Sequence, residues 1–482
     1  MIWVLALASS FLLILSVPGF HAPWLAWIAL APLLYAMARE PRWRVRLLAG
    51  LVSGAVYWWI VCAWIEYVLE ENGGMKLALA WLAFFLFGLY KALHLAAFSL
   101  LAGWTPMKWW TPPLWAALWV GIERTHGTFG FAWVPLGGAG IDTAWLTRVA
   151  PVAGVYGLSF VFALAAAILA ASVLTRSAKA LLWAPLCLVP LVFPARNVAP
   201  ADHQAVVVQP AMPENADWTR SFLDARLSRL AYHTFRSASG HPKRLIIWPE
   251  MPGPIYFESD PAFHQLAVDI AERNEDYFLF GTTIRDAQGN PYNSAIMVNP
   301  NGSVNGRYDK ANLVPFGEYV PSAFAWVNKI TSEPGDFVPG SQQTLFPVEG
   351  GKTGVFICYE SAFPDYVRKF ADNGAEFFVN LSNDGYFGRS RAREQHLSIV
   401  RMRAAENHRW IIRATNNGIT AVVDPLGRVT ERLPEWQETS QVVSYGIDRE
   451  VTFYSRHGDW FAWLCLIVGL IAPRAGRVIN RQ

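Results

Sequence analysis

The hydrophobic positions divide the chain into two kinds of sequence. Residues 1–195 are a series of apolar segments separated by short polar loops, and one further apolar segment lies near the carboxyl end. A helix needs about 20 apolar residues to cross the hydrocarbon core, and several segments are shorter, although Trp and Tyr at their ends suit the membrane interface. The pattern predicts a polytopic α-helical membrane domain of about eight spans, near residues 2–17, 23–38, 46–69, 76–103, 112–123, 155–174, 180–195 and 459–473.

The stretch from about 200 to 455 has a different pattern, in which short β-rich runs alternate with amphipathic helical runs. Such alternation predicts an α/β domain in which helices cover a sheet. Helices are expected at 219–236, 262–274 and 391–408, and strands at 205–209, 245–248, 277–281, 294–298, 353–357, 376–381, 411–414 and 420–423. The proline-rich junction at 193–200 is the expected boundary. The predicted domains are therefore 1–195 (spans one to seven), 200–455 (the α/β domain) and 456–482 (the eighth span and a tail).

Composition supports a membrane protein and argues against a nucleic-acid partner. Hydrophobic residues make up 53% of the 482 positions and charged residues only 16%, whereas soluble domains carry about 25% charged residues. The net charge is +3, which is too small to favour nucleic-acid binding.

The charges between the apolar segments predict an orientation. Basic residues follow the second, fourth, sixth and eighth segments, whereas the loop after the third is acidic at Glu70 and Glu71. Because basic loops stay in the cytoplasm, both termini are expected there and residues 200–455 on the outside. The first segment lacks a basic leader and an A-x-A cleavage site, so it is interpreted as a retained span. The basic residues on which this predicted orientation rests are Arg39, Arg42, Arg44, Arg46, Lys108, Arg176, Lys179, Arg474, Arg477 and Arg481.

One cysteine stands apart from the others. Cys62, Cys187 and Cys465 lie in apolar segments, whereas Cys358 is the only cysteine of the α/β stretch. A lone cysteine is more often a buried structural residue than a reactive one. Cys358, however, ends an apolar strand and is followed by Tyr359 and Glu360, a position in which a nucleophile can be exposed at a sharp turn.

Two earlier segments supply groups that could activate this thiol. Glu250 follows a buried-type strand, at the end where α/β proteins bind ligands. Lys310 and Glu318 flank a loop rich in apolar residues, Pro and Gly. A thiol needs a base or a nearby cation to become a thiolate, and a lysine can also stabilise an oxyanion. Each segment alone could equally be a surface loop, but their order, Glu then Lys then Cys, favours a catalytic set. The histidines lack metal-ligand spacing, so no metal or other cofactor is expected.

This order resembles that of the nitrilase superfamily, which uses Glu, Lys and Cys on an αββα sandwich. With eight spans, nearly the whole chain resembles the apolipoprotein N-acyltransferases of bacteria. The motifs that carry the resemblance are G-V-Y-G-L-S-F at 154–160, V-Q at 208–209 with Trp218 downstream, W-P-E at 248–250, Y-N at 292–293, L-V-P-F-G-E at 313–318, I-C-Y-E at 357–360, S-N-D at 382–384 and H-G-D-W at 457–460.

The resemblance implies a role for each matching residue. It makes Glu250 the general base, Lys310 the oxyanion-stabilising lysine and Cys358 the nucleophile. Glu318, Tyr359 and Glu360 match supporting residues, and Trp218, Asn293 and Tyr386 match substrate-binding positions. Tyr386 departs from the family pattern, which more often has Trp there, and Met-Pro-Gly-Pro after Glu250 replaces a run of small residues; neither departure touches the three catalytic candidates.

The resemblance also implies a reaction and its partners. A ping-pong transfer would move an acyl chain from a membrane phospholipid, typically phosphatidylethanolamine, through a Cys358 thioester to the α-amine of the diacylglyceryl-cysteine on an apolipoprotein. The protein would lie in the bacterial inner membrane with its catalytic domain in the periplasm. A membrane-tethered nitrilase-type amidohydrolase is the alternative enzyme. A non-catalytic multi-span transporter or lipoprotein-binding protein would instead need polar residues within its spans, for which Lys91 and His94 are the main candidates.

Overall fold

A computed structural model describes residues 1–129, 131–213, 216–239, 244–315, 317–319 and 337–479, the last eight of these by backbone only. Phe316 and Arg481, which were used above, lie outside the described residues. The chain forms two compact units. The first comprises residues 1–66, 76–196 and 457–482, and the second comprises 67–75 and 197–456.

The first unit is built from helices, and every segment predicted to span the membrane falls on helical structure. Among the described residues, three of its helices are long and apolar enough to cross a bilayer, at Trp43–Val61, Leu77–Ala102 and Thr147–Thr175. The helical nature of this region is confirmed, whereas the number of eight spans stays a prediction. The helices, with the short ones that border this unit, are α1 (Ile2–Ser16), α2 (Ala31–Arg39), α3 (Trp43–Val61), α4 (Trp64–Tyr67), α5 (Leu77–Ala102), α6 (Thr111–Thr128), α7 (Ala150–Thr175), α12 (Phe453–His457) and α13 (Trp460–Ile479).

Two of the predicted spans differ from a simple α-helix. The segment at 46–69 is divided, because α3 ends at Val61 and α4 begins at Trp64. The segment at 180–195 is a 15-residue 3₁₀ helix, Ala178–Val192, that contains Pro185 and Pro190. A 3₁₀ helix rises about 2.0 Å per residue, so this short segment extends about 30 Å, which is close to the thickness of the hydrocarbon core.

The polar residues noted within the spans are used in contacts inside the first unit. Lys91 is fully buried. Its Nζ donates to the carbonyl of Phe131 at 2.7 Å and lies 5.0 Å from the ring centroid of Trp58. The ring of His94 stacks on that of His126 with centroids 3.8 Å apart. The amino group of Lys91 therefore has a structural use, which weakens the transporter interpretation.

In the part of the second unit that the structure describes, the strands form two six-stranded sheets. The strands are β1 (His203–Gln209), β2 (Leu245–Ile247), β3 (Tyr277–Arg285), β4 (Pro291–Val298), β5 (Val304–Asp309), β6 (Leu345–Val348), β7 (Gly351–Ile357), β8 (Phe377–Ser382), β9 (Ile411–Thr415), β10 (Ala421–Val423), β11 (Val429–Arg432) and β12 (Thr439–Tyr445). Their orders are β12-β1-β2-β3-β4-β5 and β11-β10-β9-β8-β7-β6. The helices of this unit are α8 (Arg220–Ala238), α9 (Pro261–Asn274), α10 (Pro364–Asp372) and α11 (Ala392–Asn407).

Alternate residues of the strands form separate cores, which makes the unit a four-layer sandwich. In β1, Ala205 and Val207 belong to the cluster that joins the two sheets, whereas Val206 and Val208 pack in the cluster formed with α8 and α9. This alternation is the period of two that a strand imposes on its side chains. The predicted αββα architecture is confirmed.

The strand directions bring the candidate residues to the carboxyl edges of the sheets. β2 and β3 are parallel, and β5 runs in their direction because β4 is antiparallel to both β3 and β5. Glu250 therefore follows β2 at the same edge at which Lys310 follows β5. In the second sheet β7 is parallel to β8, and Cys358 follows β7 directly.

Candidate active site

Glu250 is positioned by a close approach between β3 and the turn after β2. The backbone N–H of Gly281 donates to the carbonyl of Pro249 at 3.2 Å. A Cβ at Gly281 would lie 2.7 Å from both the Cα of Glu250 and the backbone nitrogen of Met251, so only glycine fits. Glu250 is 4% exposed, and its Oε2 accepts from the backbone N–H of Asn383 at 2.9 Å.

Lys310 and Asn293 connect two carboxylates at this edge. Nζ of Lys310 donates to Oε1 of Glu250 at 3.2 Å and to Oε1 of Glu318 at 2.8 Å. The side-chain amide of Asn293 donates to the same two oxygens at 2.8 Å each. Oε2 of Glu318 accepts from the backbone N–H of Val314 at 2.8 Å, which ties the loop after β5 to the site.

The charges in this cluster keep the lysine protonated. Burial alone would lower the pKa of Lys310, but Glu250, Glu318 and, more weakly, Cys358 oppose it, so the pKa lies well above its usual range. A buried ammonium is stable only when it is paired and hydrogen-bonded. Lys310 is therefore held as a protonated hydrogen-bond donor.

Cys358 sits at a strained turn between β7 and a short 3₁₀ helix, Cys358–Ala362. Its φ is +48°, a left-handed conformation that is uncommon for residues other than glycine and typical of strained functional positions. The residue is 9% exposed. The sharp turn agrees with the sequence-based expectation, but Cys358 is buried there rather than exposed. The neighbouring Tyr359 is also buried, with its ring 5.0 Å from that of Phe363.

The surroundings of Cys358 favour the neutral thiol. Burial and the charge of Glu250 raise the pKa of Cys358 well above its usual range, although Lys310 and a hydrogen bond with Ser382 pull it down. Both Glu250 and Lys310 are thus close enough for their charges to act on the thiol. A thiol in this state needs a base before it can attack a carbon atom, and Glu250 is an acceptor of the required kind.

Glu360 joins the nucleophile turn to the lysine loop. Its Oε2 accepts from the backbone N–H of Ile357 at 2.7 Å and from the hydroxyl of Tyr308 at 2.6 Å. Its Oε1 accepts from the backbone N–H groups of Ala311 at 2.7 Å and Asn312 at 3.1 Å. One fully buried carboxyl group therefore fixes the residue before Cys358 and the two residues after Lys310.

Comparison with known proteins extends the likeness to both units. Residues 9–168 match the model of the apolipoprotein N-acyltransferase N-terminal domain, and residues 204–453 match that of carbon-nitrogen hydrolases. An apolipoprotein N-acyltransferase from Geobacter metallireducens is 32% identical over 96% of this chain and 93% of its own length. One from Azotobacter vinelandii is 35% identical over 95% of this chain and 92% of its own.

The chain belongs to the apolipoprotein N-acyltransferase family. Among solved structures it is similar to Saccharomyces cerevisiae Nit3, a member of branch 10 of the nitrilase superfamily, with 20% identity, a TM-score of 0.41 and coverage of 52% of this chain and 93% of that one. The match to the family's N-terminal domain is what separates this N-acyltransferase from the wider hydrolase superfamily, and it confirms the resemblance drawn from the motifs.

Of the three substrate-binding candidates of this N-acyltransferase, Trp218 lies on a loop and Tyr386 in the short 3₁₀ helix Asp384–Phe387. Trp218 is half-buried, its ring lies 5.5 Å from that of Phe222, and a Cβ on Gly253 would come within 3.1 Å of it. Trp218 thus packs on the Met-Pro-Gly-Pro loop that follows Glu250. Tyr386 is 41% exposed, and its carbonyl accepts from the side chain of Asn72 at 3.1 Å. The side-chain amide nitrogen of Asn293, the third candidate, donates hydrogen bonds to Glu250 and Glu318.

Other residues that contact the site gave no signal of their own in the sequence. Asn383 and Asp384 belong to a recognised motif, but only the fold shows that the N–H of Asn383 holds Glu250. His396 and Arg413 are fully buried below Cys358; Arg413 donates to Asp384, and Nδ1 of His396 lies 2.9 Å from Oδ1 of Asp384. They lie in separate elements, α11 and β9, so no spacing along the chain could have identified them.

Proposed function

We propose that this protein transfers an acyl chain from a membrane phospholipid, with phosphatidylethanolamine as the typical donor, to the α-amine of the N-terminal diacylglyceryl-cysteine of lipoproteins. The observation that carries the proposal is the convergence of Glu250, Lys310 and Cys358 in a chain of this family. The relatives are named apolipoprotein N-acyltransferases, which supports a lipoprotein acceptor and a lipid donor. No cofactor takes part in the proposed reaction.

The first half-reaction would form a thioester on Cys358. Glu250 accepts the thiol proton while Sγ attacks the carbonyl carbon of the phospholipid ester. The ammonium of Lys310 donates to the oxyanion that develops, because a fixed donor in a buried site stabilises that charge without reorganisation. When the tetrahedral intermediate collapses, the ester C–O bond breaks and Glu250 returns the proton to the departing lysophospholipid.

The second half-reaction would release the acyl chain as an amide. The free α-amine of the acceptor attacks the thioester carbonyl, and Glu250 takes a proton from the attacking nitrogen. The C–S bond then breaks, and the sulfur recovers a proton as the thiol. Glu318, Tyr359 and Glu360 are assigned supporting roles in this scheme, and Trp218, Asn293 and Tyr386 are assigned to substrate binding.

The location of the protein follows from its family and its apolar helices, which together indicate the inner membrane. We further propose that both termini are cytoplasmic and that the α/β domain of residues 200–455 is periplasmic, because the loops after even-numbered segments are basic. The membrane domain would then be 1–195, completed by 456–482. In this arrangement both lipid-anchored substrates reach the domain from the outer leaflet.

The amidohydrolase alternative has only the shared fold in its favour. It needs water as the second nucleophile, and a tether for it requires a single helix, whereas residues 9–168 match the N-terminal domain of the acyltransferases. Transfer to an amine is therefore the better supported reaction.

The two reactions differ in their products. The detergent-purified protein is incubated with phosphatidylethanolamine carrying a labelled acyl chain and with a diacylated lipopeptide. Triacylated lipopeptide should form in excess over free fatty acid, and Cys358→Ala should form neither. Free fatty acid as the dominant product of the wild type, in the presence of saturating lipopeptide, would replace the transferase with the hydrolase.

A further inference from the structure

A buried chain of polar side chains lies directly beneath the Cys358 turn. Nε2 of His396 is 3.1 Å from the carbonyl oxygen of Cys358 and 2.9 Å from Oγ of Ser361. Nδ1 of His396 is 2.9 Å from Oδ1 of Asp384. Arg413 donates through Nη2 to both oxygens of Asp384, at 2.8 and 2.6 Å. Ser361, His396, Asp384 and Arg413 are all fully buried.

The connectivity Ser361–His396–Asp384 is that of a serine hydrolase triad, but its surroundings do not suit that use. Ser361 has no exposed surface, so its hydroxyl cannot reach a substrate. Asp384 is committed to Arg413. Burial disfavours the charge of Asp384, but Arg413 and His396 outweigh this effect and hold its pKa well below the usual range. This buried set of hydrogen-bonded side chains is therefore suited to a structural role rather than to supplying a second nucleophile.

The buried side chains support the backbone of the nucleophile Cys358. A carbonyl oxygen can only accept a hydrogen bond, so the contact between His396 and Cys358 requires a hydrogen on Nε2. The same helix, α11, supplies a second support seven residues later, where Nη1 of Arg403 donates to the carbonyl of Ser361 at 3.1 Å. The left-handed φ of +48° at Cys358 persists only where the surrounding contacts determine it.

We propose that His396 is a positioning residue for the nucleophile: it fixes the Cys358 carbonyl, and with it the direction in which Sγ points. This proposal rests on the proposed role of Cys358 in acyl transfer. His396 touches neither substrate nor the reacting sulfur in this scheme. With its hydrogen on Nε2, the ring accepts at Nδ1 from Nη2 of Arg413 at 3.2 Å, and Asp384 in turn holds Arg413. Ser361 is dispensable because the hydrogen on Nε2 goes to Cys358.

Three variants and a matched control test this inference. His396→Gln keeps an N–H near the position of Nε2, His396→Leu removes it, and Ser361→Ala removes only the hydroxyl. His264→Leu is the control, since its ring nitrogen also faces a carbonyl, that of Phe257 at 3.4 Å, but on α9. Two rates are measured at a temperature at which each protein stays folded: acylation of Cys358 in a single turnover, and its alkylation by iodoacetamide, followed by peptide mass.

Displacement of a reacting group by about 1 Å costs roughly 100-fold in rate, so His396→Leu should slow acylation by about that factor and alkylation by at least about tenfold. His396→Gln should stay within about tenfold of the wild type in acylation, as one retained donor predicts, and Ser361→Ala and the control should stay close to it. Three results would each overturn the proposal. They are equal losses of acylation rate in His396→Gln and His396→Leu, a wild-type acylation rate in His396→Leu, and a loss in Ser361→Ala as large as that in His396→Leu. If the wild type itself forms no acyl adduct, the proposed function fails, and alkylation alone still decides the role of His396.

Discussion

Nζ of Lys310 lies 2.8 Å from Oε1 of Glu318, and the lysine is 1% exposed. The same ammonium also donates to Glu250, so one buried cation faces two carboxylates. This imbalance makes the lysine a larger contributor to stability than either acid, because its removal leaves two negative charges near each other in a buried site.

The first prediction concerns this charge cluster. Lys310→Met should lower the free energy of unfolding by about 3–5 kcal/mol, the cost of leaving a buried ion without its partner. Adding Glu318→Gln to the same protein should recover part of the loss. The midpoint of thermal unfolding in detergent measures both effects. An unchanged midpoint in Lys310→Met would show that the three groups are not charged as described.

The second prediction concerns the turn that carries Glu250. Gly281→Ala should reduce acyl transfer by roughly 100-fold, because the new Cβ displaces the base and small displacements have effects of that size. Gly127→Ala in α6, whose nearest contact would be an ordinary 3.6 Å to the Cβ of Ala132, is the matched control. Activity is measured as triacylated lipopeptide formed per minute. Near-normal activity in Gly281→Ala would mean that the position of Glu250 is not critical.

Much of the fold was predictable because its strands are apolar and buried. β1, β7 and β8 are recognisable in the sequence, since most of their residues face a core. β5, β6, β11 and β12 were not expected. β5 reads Val-Asn-Gly-Arg-Tyr-Asp, and among these only Tyr308 is buried, so pairing with β4 rather than hydrophobicity forms this strand. The long 3₁₀ helix at Ala178–Val192 was likewise not expected.

The candidate site likewise has some features that the sequence predicts and others that depend on the tertiary structure. Glu250 and Cys358 follow β2 and β7, whose apolar runs are visible in the sequence. Lys310 follows β5, which was not expected, so only its place in the order Glu, Lys, Cys identified it. The hydrogen bonds of Glu360 with residues 311 and 312, and the contact of His396 with Cys358, depend on which strand ends meet and on how α11 crosses below them. Those are tertiary relationships between residues 38 to 49 positions apart, and local patterns carry no information on them.

The third prediction is a pH dependence of stability from Glu360. Burial raises its pKa from 4.5 to about 7, although the donors from Ile357, Tyr308, Asn312 and Ala311 oppose this. The folded protein therefore holds a proton that the unfolded chain has released. The stability from this group is complete below pH 4.5 and is lost as the pH rises through about 7.

Comparison of the wild type with Glu360→Gln isolates this effect. The buried His396, whose pKa is lowered by burial and by Arg413, contributes with the opposite sign in the acidic part of the same range, and it is present in both proteins. The unfolding midpoint should fall more steeply between pH 5 and pH 8 in the wild type than in Glu360→Gln. Parallel curves would mean that Glu360 does not change its protonation in this range.

The fourth prediction concerns the loop after Glu250. Gly253→Ala would place a Cβ 3.1 Å from the ring of Trp218, so the indole must move. If Trp218 contacts a substrate, Gly253→Ala and Trp218→Ala should both raise KM for phospholipid or lipopeptide by about tenfold, equivalent to about 1.4 kcal/mol, with kcat changed much less. Trp218→Phe serves as the milder control. A fall in kcat at constant KM would assign the loop to the chemical step instead.

The most direct test of the proposed chemistry is the intact mass of the protein after incubation with labelled phosphatidylethanolamine and no acceptor. The wild type should gain the mass of one acyl group, located on Cys358, and should lose it when a diacylated lipopeptide is added. Cys358→Ala should gain nothing. A folded wild type that carries no acyl group, or an adduct that persists in Cys358→Ala, would contradict a thioester at Cys358.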